Sequence, residues 1–394
     1  MGAGDLWLRN ALVPGSAAPT DIVVRDGRID TVGCAPTVWG GPAVDARGHL
    51  ALPGLVDGHA HVDKTLCGLP WRPHSAGAGL AALIENERTG RRELPPVSER
   101  AAALFETYSA NGTTLIRTHA DVDLDNGVTA VEGVLEAAAR FGDRLDVEVV
   151  AFPQSGMLIA PGTADLLDAA VEVGAALVGG IDPAGLDGDA VAHLDTVFAI
   201  ADRRGCGVDV HLHDRGTLGR WQLGLIVERT RALGLQGKVT VSHAFCLCDG
   251  DPAVEPLLEH LAEQRIALAT VAPGSVEPLP LARIAELGIA VCLGQDGVRD
   301  LWSPWGDADM LSRAAQLAWR AGFRRDDDIA LCVEIAGNRG AAALGVTDQV
   351  VAPGGRGDLI LVDASGPAEA AVAHPPRSLV VKRGVPVSGP LAIG

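Results

Sequence analysis

The sequence predicts a (β/α)8 TIM barrel with a small β-sandwich domain built from the N- and C-terminal segments. Eight short apolar runs each end in a polar residue, and stretches with helical periodicity separate them. These runs extend from His59 to Asp296, which is close to the roughly 250 residues that such a barrel needs. The chain has 394 residues and therefore leaves room for one smaller module beside the barrel.

Both ends of the chain have β-strand patterns. The segment DIVVRDGRIDTVG contains two alternating runs around Asp26-Gly27, which is a strong signal for a two-residue hairpin turn. Near the C-terminus, GDLILVDA and SLVVKRGVPV are short strands, the second with a turn at Arg383-Gly384. We therefore predict that residues 1–50 and 351–394 form the sandwich and that residues 51–350 form the barrel.

Between these ends, strand and helix patterns alternate. The predicted barrel strands lie in LALPGLVDGHAH, TTLIRTHAD, VEVVAFPQSG, ALVGGID, GVDVHLHD, VTVSHAF, ALATVAPG and AVCLGQDG. The segments DLLDAAVEVGA, HLDTVFAIADRRG and VEPLLEHLAEQR place apolar residues at i, i+3 and i+4, as amphipathic helices do. A strand, a helix and two loops need about 30 residues, and most of the strand spacings agree with that length.

Composition excludes several classes of function. The formal net charge of -18 argues against nucleic acid and against an anionic membrane surface as partners. The sequence has neither a long apolar run nor a basic segment followed by an apolar one, so we expect no membrane span and no secretory signal. Seven scattered cysteines fit reduced thiols. We expect a cytoplasmic protein with a small-molecule substrate, and a homo-oligomer is possible.

The segment PGLVDGHAHVDK carries two histidines one residue apart, His59 and His61. Residues i and i+2 of a strand point to the same side, so both imidazoles aim at one point. Taken alone, this pattern fits two strand-end polar residues equally well. However, His211, His243 and Asp296 also fall at predicted strand ends, where a barrel of this kind places its active site. The five residues together favour a metal site.

Several motifs resemble the amidohydrolase superfamily, specifically its cytosine deaminase-like branch. They cover almost the whole chain in order: PGLVDGHAHVDKT, TLIRTHADVD, VAFPQSG, VDVHLHD, VTVSHA and GQDGVRDLW. The resemblance implies that His59, His61, His211 and Asp296 are metal ligands. Imidazoles and a carboxylate suit Zn²⁺ or Fe²⁺, with one position left for water.

The resemblance also assigns catalytic roles. His243 would hydrogen-bond the water or the developing oxyanion, and Asp296 would accept the proton of that water.

Two-metal relatives bridge their metals with a carboxylated lysine, commonly on strand 4. The chain has three lysines, Lys64, Lys238 and Lys382, and none lies in strand 4. We therefore expect one divalent metal ion per chain.

A proton must also reach the leaving nitrogen. In the resembling enzymes a carboxylate three residues after the strand-5 histidine does this, and it is usually glutamate. Asp214 stands at that position here, and its side chain is shorter by one methylene. We predict that Asp214 is catalytic, and His213, which shares the parity of His211 along the strand, is the alternative proton carrier.

Two residues are predicted to bind the substrate. Gln154 falls where the resembling enzymes grip the amide-like edge of a pyrimidine, and a carboxamide offers both a donor and an acceptor. Trp302 follows strand 8 and is predicted to contact the ring. Two departures put cytosine itself in doubt. Gly297 replaces a second acid after Asp296, and strand 7 ends VAPGS without an asparagine-proline pair.

The function that the resemblance implies is a metal-dependent hydrolytic deaminase of a small N-heterocycle. A hydroxide on the metal would attack the C–N carbon, and ammonia would leave. Candidate rings are cytosine-like, isocytosine, pterin, creatinine or aminotriazine types. The alternative is a cyclic-amide or N-alkylamine hydrolase of a triazine-like ring, and a third hypothesis is a non-catalytic binding relative.

Overall fold

The computed structural model describes residues 4–74, 77 and 80–393. Its strands, in chain order, are β1 (Leu6–Ala11), β2 (Thr20–Arg25), β3 (Arg28–Val32), β4 (Ala43–Asp45), β5 (Leu50–Pro53), β6 (Leu55–Ala60), β7 (Thr113–Asp121), β8 (Asp146–Phe152), β9 (Leu177–Ile181), β10 (Gly207–His211), β11 (Val239–Ser242), β12 (Ala267–Thr270), β13 (Val291–Leu293), β14 (Leu359–Val362), β15 (Arg377–Lys382) and β16 (Val385–Ser388). The eight strands β6 to β13 form one parallel sheet in sequence order.

The sheet closes on itself where β6 meets the end of β13. The backbone N–H of His61 donates to the carbonyl of Asp296 at 3.0 Å, and the N–H of Asp296 donates to the carbonyl of His59 at 2.9 Å. Every residue of β7 is buried, as expected for a strand that is covered on both faces. The predicted (β/α)8 barrel is confirmed, and its closure brings the histidine pair of β6 next to Asp296.

Helices surround the barrel and separate its strands. They are α1 (Leu80–Gly90), α2 (Val97–Ala110), α3 (Thr129–Arg140), α4 (Thr163–Glu172), α5 (Ala190–Arg204), α6 (Gly216–Ala232), α7 (Val254–Glu263), α8 (Leu281–Glu286), α9 (Met310–Arg320), α10 (Asp326–Ile335), α11 (Asn338–Ala343) and α12 (Pro367–Ala373). The three helices expected from periodicity correspond to α4, α5 and α7. In α5 the carboxylate of Asp189 caps the N-terminus, and Gly205 ends the helix in the left-handed conformation.

Two smaller sheets lie outside the barrel. The first has the order β3-β2-β1-β4, with β1 antiparallel to β2 and parallel to β4. The second is antiparallel and has the order β16-β15-β14-β5. The predicted hairpin turn is present, because Asp26 and Gly27 both have positive φ, 48° and 76°, as a type I′ turn requires. The exact domain limits, 1–50, 51–350 and 351–394, stay a prediction.

One predicted strand is divided in two. The run LALPGLVDGHAH was expected to be a single barrel strand, but β5 pairs with β14 of the smaller sheet and β6 begins the barrel at Leu55. The division falls at Gly54, where a side chain would meet Thr114 Cγ2 at 2.6 Å and Gln349 Nε2 at 2.8 Å. Glycine therefore allows the chain to cross close to β7 as it passes from one sheet to the other.

A buried cation joins the second small sheet to the barrel. The side chain of Lys382, on β15, is fully buried. Its Nζ donates to Asp358 Oδ2 at 2.8 Å, to Asp146 Oδ2 at 2.9 Å and to the carbonyl of Thr114 at 3.0 Å. Asp146 and Thr114 belong to β8 and β7 of the barrel, so this one ammonium group connects both sheets.

In the part of the chain that the structure describes, no helix has the length and apolar character needed to cross a membrane.

Candidate active site at the mouth of the barrel

A cavity of about 1010 Å³ opens at the carboxyl ends of the barrel strands. It is lined by seven residues that the sequence proposed for the site: His61, Gln154, His211, His213, His243, Asp296 and Trp302. His59 lies directly beneath them and is completely buried. A parallel barrel brings the ends of β6, β8, β10, β11 and β13 to one rim, which explains why residues far apart in sequence meet here.

The four predicted metal ligands converge on one point. His61 Nε2 lies 3.3 Å from His211 Nε2 and 3.3 Å from Asp296 Oδ1, and His59 Nε2 lies 3.6 Å from the same oxygen. Each of the three histidine rings has a buried nitrogen that lacks a hydrogen-bond partner among the described residues. Buried polar atoms are normally paired. The orphaned atom of His59 is Nε2, which faces the shared carboxylate oxygen, and the Nε2 atoms of His61 and His211 converge on the same point. These three nitrogens and Asp296 Oδ1 together fit a bound cation.

The protonation of the cluster also fits a metal. Burial lowers the pKa of His61 and of His211 well below the usual range, with the nearby Lys64 and His119 adding to the effect. Both imidazoles are therefore neutral at pH 7 and keep a lone pair for coordination. Burial alone would raise the pKa of Asp296, but contacts with His59, His243 and His61 more than offset it and hold that pKa well below its usual value.

A hydroxyl group fixes the tautomer of His59. Ser242 Oγ donates to Asp209 Oδ1 at 2.7 Å, so its lone pair accepts from His59 Nδ1 at 2.9 Å. With the proton on Nδ1, the orphaned Nε2 of His59 carries the lone pair that faces the cluster. Arg117 lies on the other side of the buried Asp209, at 3.8 Å. Such outer partners orient the ligands of a metal site.

His119, on β7, also lies within this cluster. Its ring centroid is 4.5 Å from those of His59 and His211, and its Nε2 is 3.5 Å from Asp209 Oδ1. One ring nitrogen from each of His119, His59, His61 and His211 lies within 4.8 Å of the others. The contact with Asp209 favours a supporting role.

The backbone is strained where the site is assembled. Asp296, His243 and Asp182 have positive φ values of 63°, 68° and 33°. Residues other than glycine adopt this region rarely, at a cost of about 1–3 kcal/mol each, and such residues cluster at functional sites. Each of the three follows the end of a barrel strand and turns its side chain toward the cavity.

The two candidate proton carriers lie in different surroundings. His213 lines the cavity, and its Nδ1 and backbone N–H contact the two carboxylate oxygens of Asp182 at 2.8 and 2.6 Å. Burial would lower the pKa of His213, but the hydrogen bond and charge of Asp182 raise it overall. Asp214, in contrast, is not among the cavity-lining residues. Its Oδ2 accepts from Gln222 Nε2 at 2.8 Å and from the N–H of Gly185 at 3.0 Å.

The predicted substrate residue Gln154 is held by a lysine. Lys64 Nζ donates to Gln154 Oε1 at 2.6 Å and lies 3.1 Å from Asp121 Oδ1. Burial would lower the pKa of Lys64, but Asp121, Glu87 and Asp63 raise it well above its usual value, so the ammonium stays charged. Because Lys64 binds the amide oxygen, the Nε2 donors of Gln154 are the groups that stay wholly available to a ligand.

Trp302 forms a wall of the cavity beside this lysine. Lys64 Nζ lies 5.4 Å from the centre of the indole ring, and Trp302 Nε1 donates to Glu87 Oε2. Helix α1, which carries Glu87, therefore supports the tryptophan from behind. The indole nitrogen is already paired, so the ring offers its face rather than a donor to a ligand.

Sequence reasoning missed the roles of Lys64 and Glu87. The signal for Lys64 was present, because a lysine three residues after the His-x-His pair falls beside the cluster. No comparable signal marked Glu87, which comes from α1 and meets the site only in the folded chain.

Comparisons with known proteins agree with this geometry. Residues 43–388 match the amidohydrolase family. The chain is 29% identical over 389 residues to N-isopropylammelide isopropyl amidohydrolase of Pseudomonas sp. strain ADP, covering 96% of each protein. It is 42% identical to N-isopropylammelide isopropylaminohydrolase from Burkholderia multivorans, whose crystal structure superposes with a TM-score of 0.93 over 98% of each chain. A 5-methylcytosine deaminase from Klebsiella pneumoniae is 26% identical, with a TM-score of 0.84 and 98% coverage of both chains.

Proposed function

Because the chain belongs to the amidohydrolase family, we propose that it hydrolyses an exocyclic carbon–nitrogen bond on a small oxo-substituted nitrogen heterocycle and releases an alkylamine. The chain is a hydrolase of carbon–nitrogen bonds, and the leaving group and the ring are the proposed part. The observation that carries the proposal is a donor-only edge, Lys64 Nζ and Gln154 Nε2, beside a histidine cluster. The likeness to isopropylaminohydrolases supports the alkylamine.

The donor-only edge favours a ring that presents oxygen. The ammonium of Lys64 fixes the carboxamide of Gln154 in one orientation, in which the ammonium and the Nε2 of Gln154 are both donors. A carbonyl oxygen on the ring satisfies these donors, whereas an unsubstituted amino edge leaves them unpaired, at a cost of about 1–3 kcal/mol for each buried group. This edge supports oxo-pyrimidines and oxo-triazines as substrates over rings with only amino substituents.

In this proposal one divalent metal ion, Zn²⁺ or Fe²⁺, is held by His59, His61, His211 and Asp296. When bound, such an ion acts as a Lewis acid and makes water a nucleophile at neutral pH. Around it, the free oxygen of Asp296 takes the proton of the attacking water. His243 lines the cavity next to Asp296 and donates a hydrogen bond to the oxygen that becomes negative when the ring carbon turns tetrahedral.

We assign to His213 the delivery of the proton that the leaving nitrogen needs. Asp182 accepts from its Nδ1, which orients the ring and leaves Nε2 as the atom that gives the proton to the departing amine. The predicted role of Asp214 stays a prediction, but both donors on its carboxylate belong to the protein scaffold. If His213 delivers the proton, the side chain at position 214 does not have to reach the leaving nitrogen. It then does not matter that aspartate is one methylene shorter than glutamate.

A second candidate is the release of ammonia from an amino-substituted ring of the same kind. The 26% identity to a 5-methylcytosine deaminase across 98% of the chain favours it, and the same residues serve both reactions. Only the group on the leaving nitrogen differs. The likeness to the isopropylaminohydrolase is greater, at 42% identity and a TM-score of 0.93, which is why we place alkylamine release first.

The test is amine release by metal-reconstituted protein. The panel pairs N-alkylamino and amino forms of the same oxo-triazine and oxo-pyrimidine rings, and the released amine is identified by chromatography. We expect isopropylamine or a similar amine to be released faster than ammonia. Faster ammonia release would replace the first candidate with the second. No release of either amine from any ring, with metal bound, would overturn the proposed function.

A further inference from the structure

A carboxylate from elsewhere fills the space next to Asp296 that a side chain at position 297 would need. A Cβ built on Gly297 would overlap Asp300 Oδ2 and would lie 2.8 Å from Asp300 Cγ. The backbone at Gly297 is not in the left-handed region, so its own conformation does not require glycine. The side chain of Asp300 requires it. The second acid that the sequence lacks at position 297 is thus replaced in space by Asp300.

Asp300 is held firmly by one oxygen only. Its Oδ1 accepts from the backbone N–H groups of Trp302 and Ser303 at 2.8 and 2.7 Å. Its Oδ2, the atom above Gly297, accepts from no donor among the described residues. Asp300 is only 5% exposed, yet it lines the cavity together with Lys64 and Trp302. A carboxylate oxygen that has no donor from the protein, on a mostly buried residue that lines the cavity, is available to a donor that comes with a ligand.

The electrostatic surroundings agree with this interpretation. Burial raises the pKa of Asp300 to about 6, and its two backbone hydrogen bonds and the nearby Lys64 only partly offset that rise. The group is nevertheless mostly ionised at pH 7, so Oδ2 is an acceptor there. Across the cavity-lining residues, Lys64 and Gln154 supply donors, and Asp300 supplies the complementary acceptor.

We propose that Asp300 Oδ2 recognises a ring N–H of the substrate while Lys64 and Gln154 recognise a ring carbonyl oxygen. The inference rests on the proposed function and deepens it, because it restricts the substrates to lactam or ureide rings that carry both groups. A ring in which the relevant nitrogen is methylated or lacks hydrogen cannot satisfy Asp300. Asp300 is then a specificity-determining residue that contacts the substrate.

The test measures binding and turnover separately. Cyanuric acid carries carbonyl and N–H groups but has no leaving amine, so its binding to the metal-loaded protein can be followed by tryptophan fluorescence without any reaction. We expect wild-type protein to bind cyanuric acid about 10- to 100-fold more tightly than its N-methylated derivative with all three ring nitrogens methylated, in which no N–H is left to donate a charge-assisted hydrogen bond.

The variant Asp300→Asn isolates the role of Oδ2. The asparagine oxygen still accepts from Trp302 and Ser303, so the loop keeps its caps, while an amide donor replaces the acceptor. We expect cyanuric acid to bind about 10- to 100-fold more weakly and the preference over the N-methylated ring to disappear, with metal content unchanged. The matched control is Asp123→Asn, because Asp123 Oδ1 caps the backbone N–H groups of Asp125 and Asn126 in the same way outside the cavity.

A steric test of the underlying geometry does not depend on any ligand. Gly297→Ala should lower Tm by about 5 °C because its Cβ collides with Asp300. When Gly297→Ala is combined with Asp300→Gly, the decrease in Tm should be smaller than the sum of the decreases in the two single variants. Strictly additive losses would contradict the shared space.

An undiminished preference for the N–H ring in Asp300→Asn, or no binding of either ring to wild-type protein, would overturn the inference. A normal N–H preference without amine release would overturn the proposed function alone.

Discussion

At the scale of single residues, Ser242 shows how a group outside the cavity acts on the candidate metal site. Its hydroxyl lies between Asp209 and His59 and sets the tautomer of that histidine. Ser242→Ala should weaken Zn²⁺ affinity about 10- to 100-fold because His59 loses its orienting partner. Competition with a chromogenic chelator measures this affinity. Ser312→Ala is the control, since Ser312 also lines the cavity, and an equal loss there would contradict the account.

The proton carrier can be identified by a pair of substitutions. His213→Asn should reduce kcat about 10²- to 10⁴-fold, the usual contribution of a general acid, while metal content stays unchanged. Asp214→Asn should have a much smaller effect, because the asparagine oxygen still accepts from Gly185. Steady-state kinetics on both variants decides between the two residues. A larger loss for Asp214→Asn would return the role to the carboxylate.

Sequence reasoning reached the residues whose strand positions determine their direction. His59, His61, His211, His243 and Asp296 end barrel strands, so the repeat of the fold brings them together once the barrel is recognised. Asp300 and Glu87 could not be found this way, because loop geometry and a packed helix decide where they lie. The sequence shows that position 297 lacks an acid, but only the folded structure shows that the carboxylate of Asp300 takes its place.

At the scale of elements, the connection between the second small sheet and the barrel depends on Lys382. Lys382→Met removes the cation nearest to the buried Asp358 and leaves only Arg356, at 3.7 Å, so it should lower the free energy of unfolding by about 3 kcal/mol. Urea denaturation measures the change. Lys238→Met is the matched control, because Lys238 is exposed and should change stability by less than about 0.5 kcal/mol. Equal effects of the two substitutions would contradict this role for Lys382.

The periodicity of apolar residues predicts which elements form, but it does not predict every boundary between them. All eight barrel strands were recognisable as apolar runs with polar ends, because both faces of a parallel barrel strand are buried. The division between β5 and β6 was missed because Leu50–Ala60 is apolar on both sides of Gly54. Only the close approach of Thr114, whose Cγ2 lies 2.6 Å from the place that a Cβ at position 54 would take, explains why the chain changes sheets there.

At the scale of the whole molecule, the buried carboxyl of Asp300 makes stability depend on pH. Its pKa is about 6 in the folded protein and about 3.9 in an unfolded chain. The folded state therefore binds more protons between these values, and the contribution of Asp300 becomes unfavourable as pH rises from about 4 to 6. Below about pH 4 the penalty is absent, and above about pH 6 it is complete, at about 3 kcal/mol.

Asp300→Asn should remove this penalty. The free energy of unfolding of the variant, taken relative to that of wild type, should be about 2 kcal/mol higher at pH 7 than at about pH 4.5. The variant nevertheless binds lactam rings more weakly. Urea denaturation at both pH values measures the difference. A variant whose stability relative to wild type is the same at both pH values would show that Asp300 carries no such penalty.

The most direct test of the central claim is a parallel measurement of metal content and amine release in wild-type protein and in His61→Ala. His61 Nε2 lies 3.3 Å from both His211 Nε2 and Asp296 Oδ1, so its loss should abolish metal binding and turnover together while circular dichroism stays unchanged. We expect about one Zn or Fe per wild-type chain and essentially none in the variant. Substantial amine release by the metal-free variant would contradict a metal-dependent hydrolase built on this cluster.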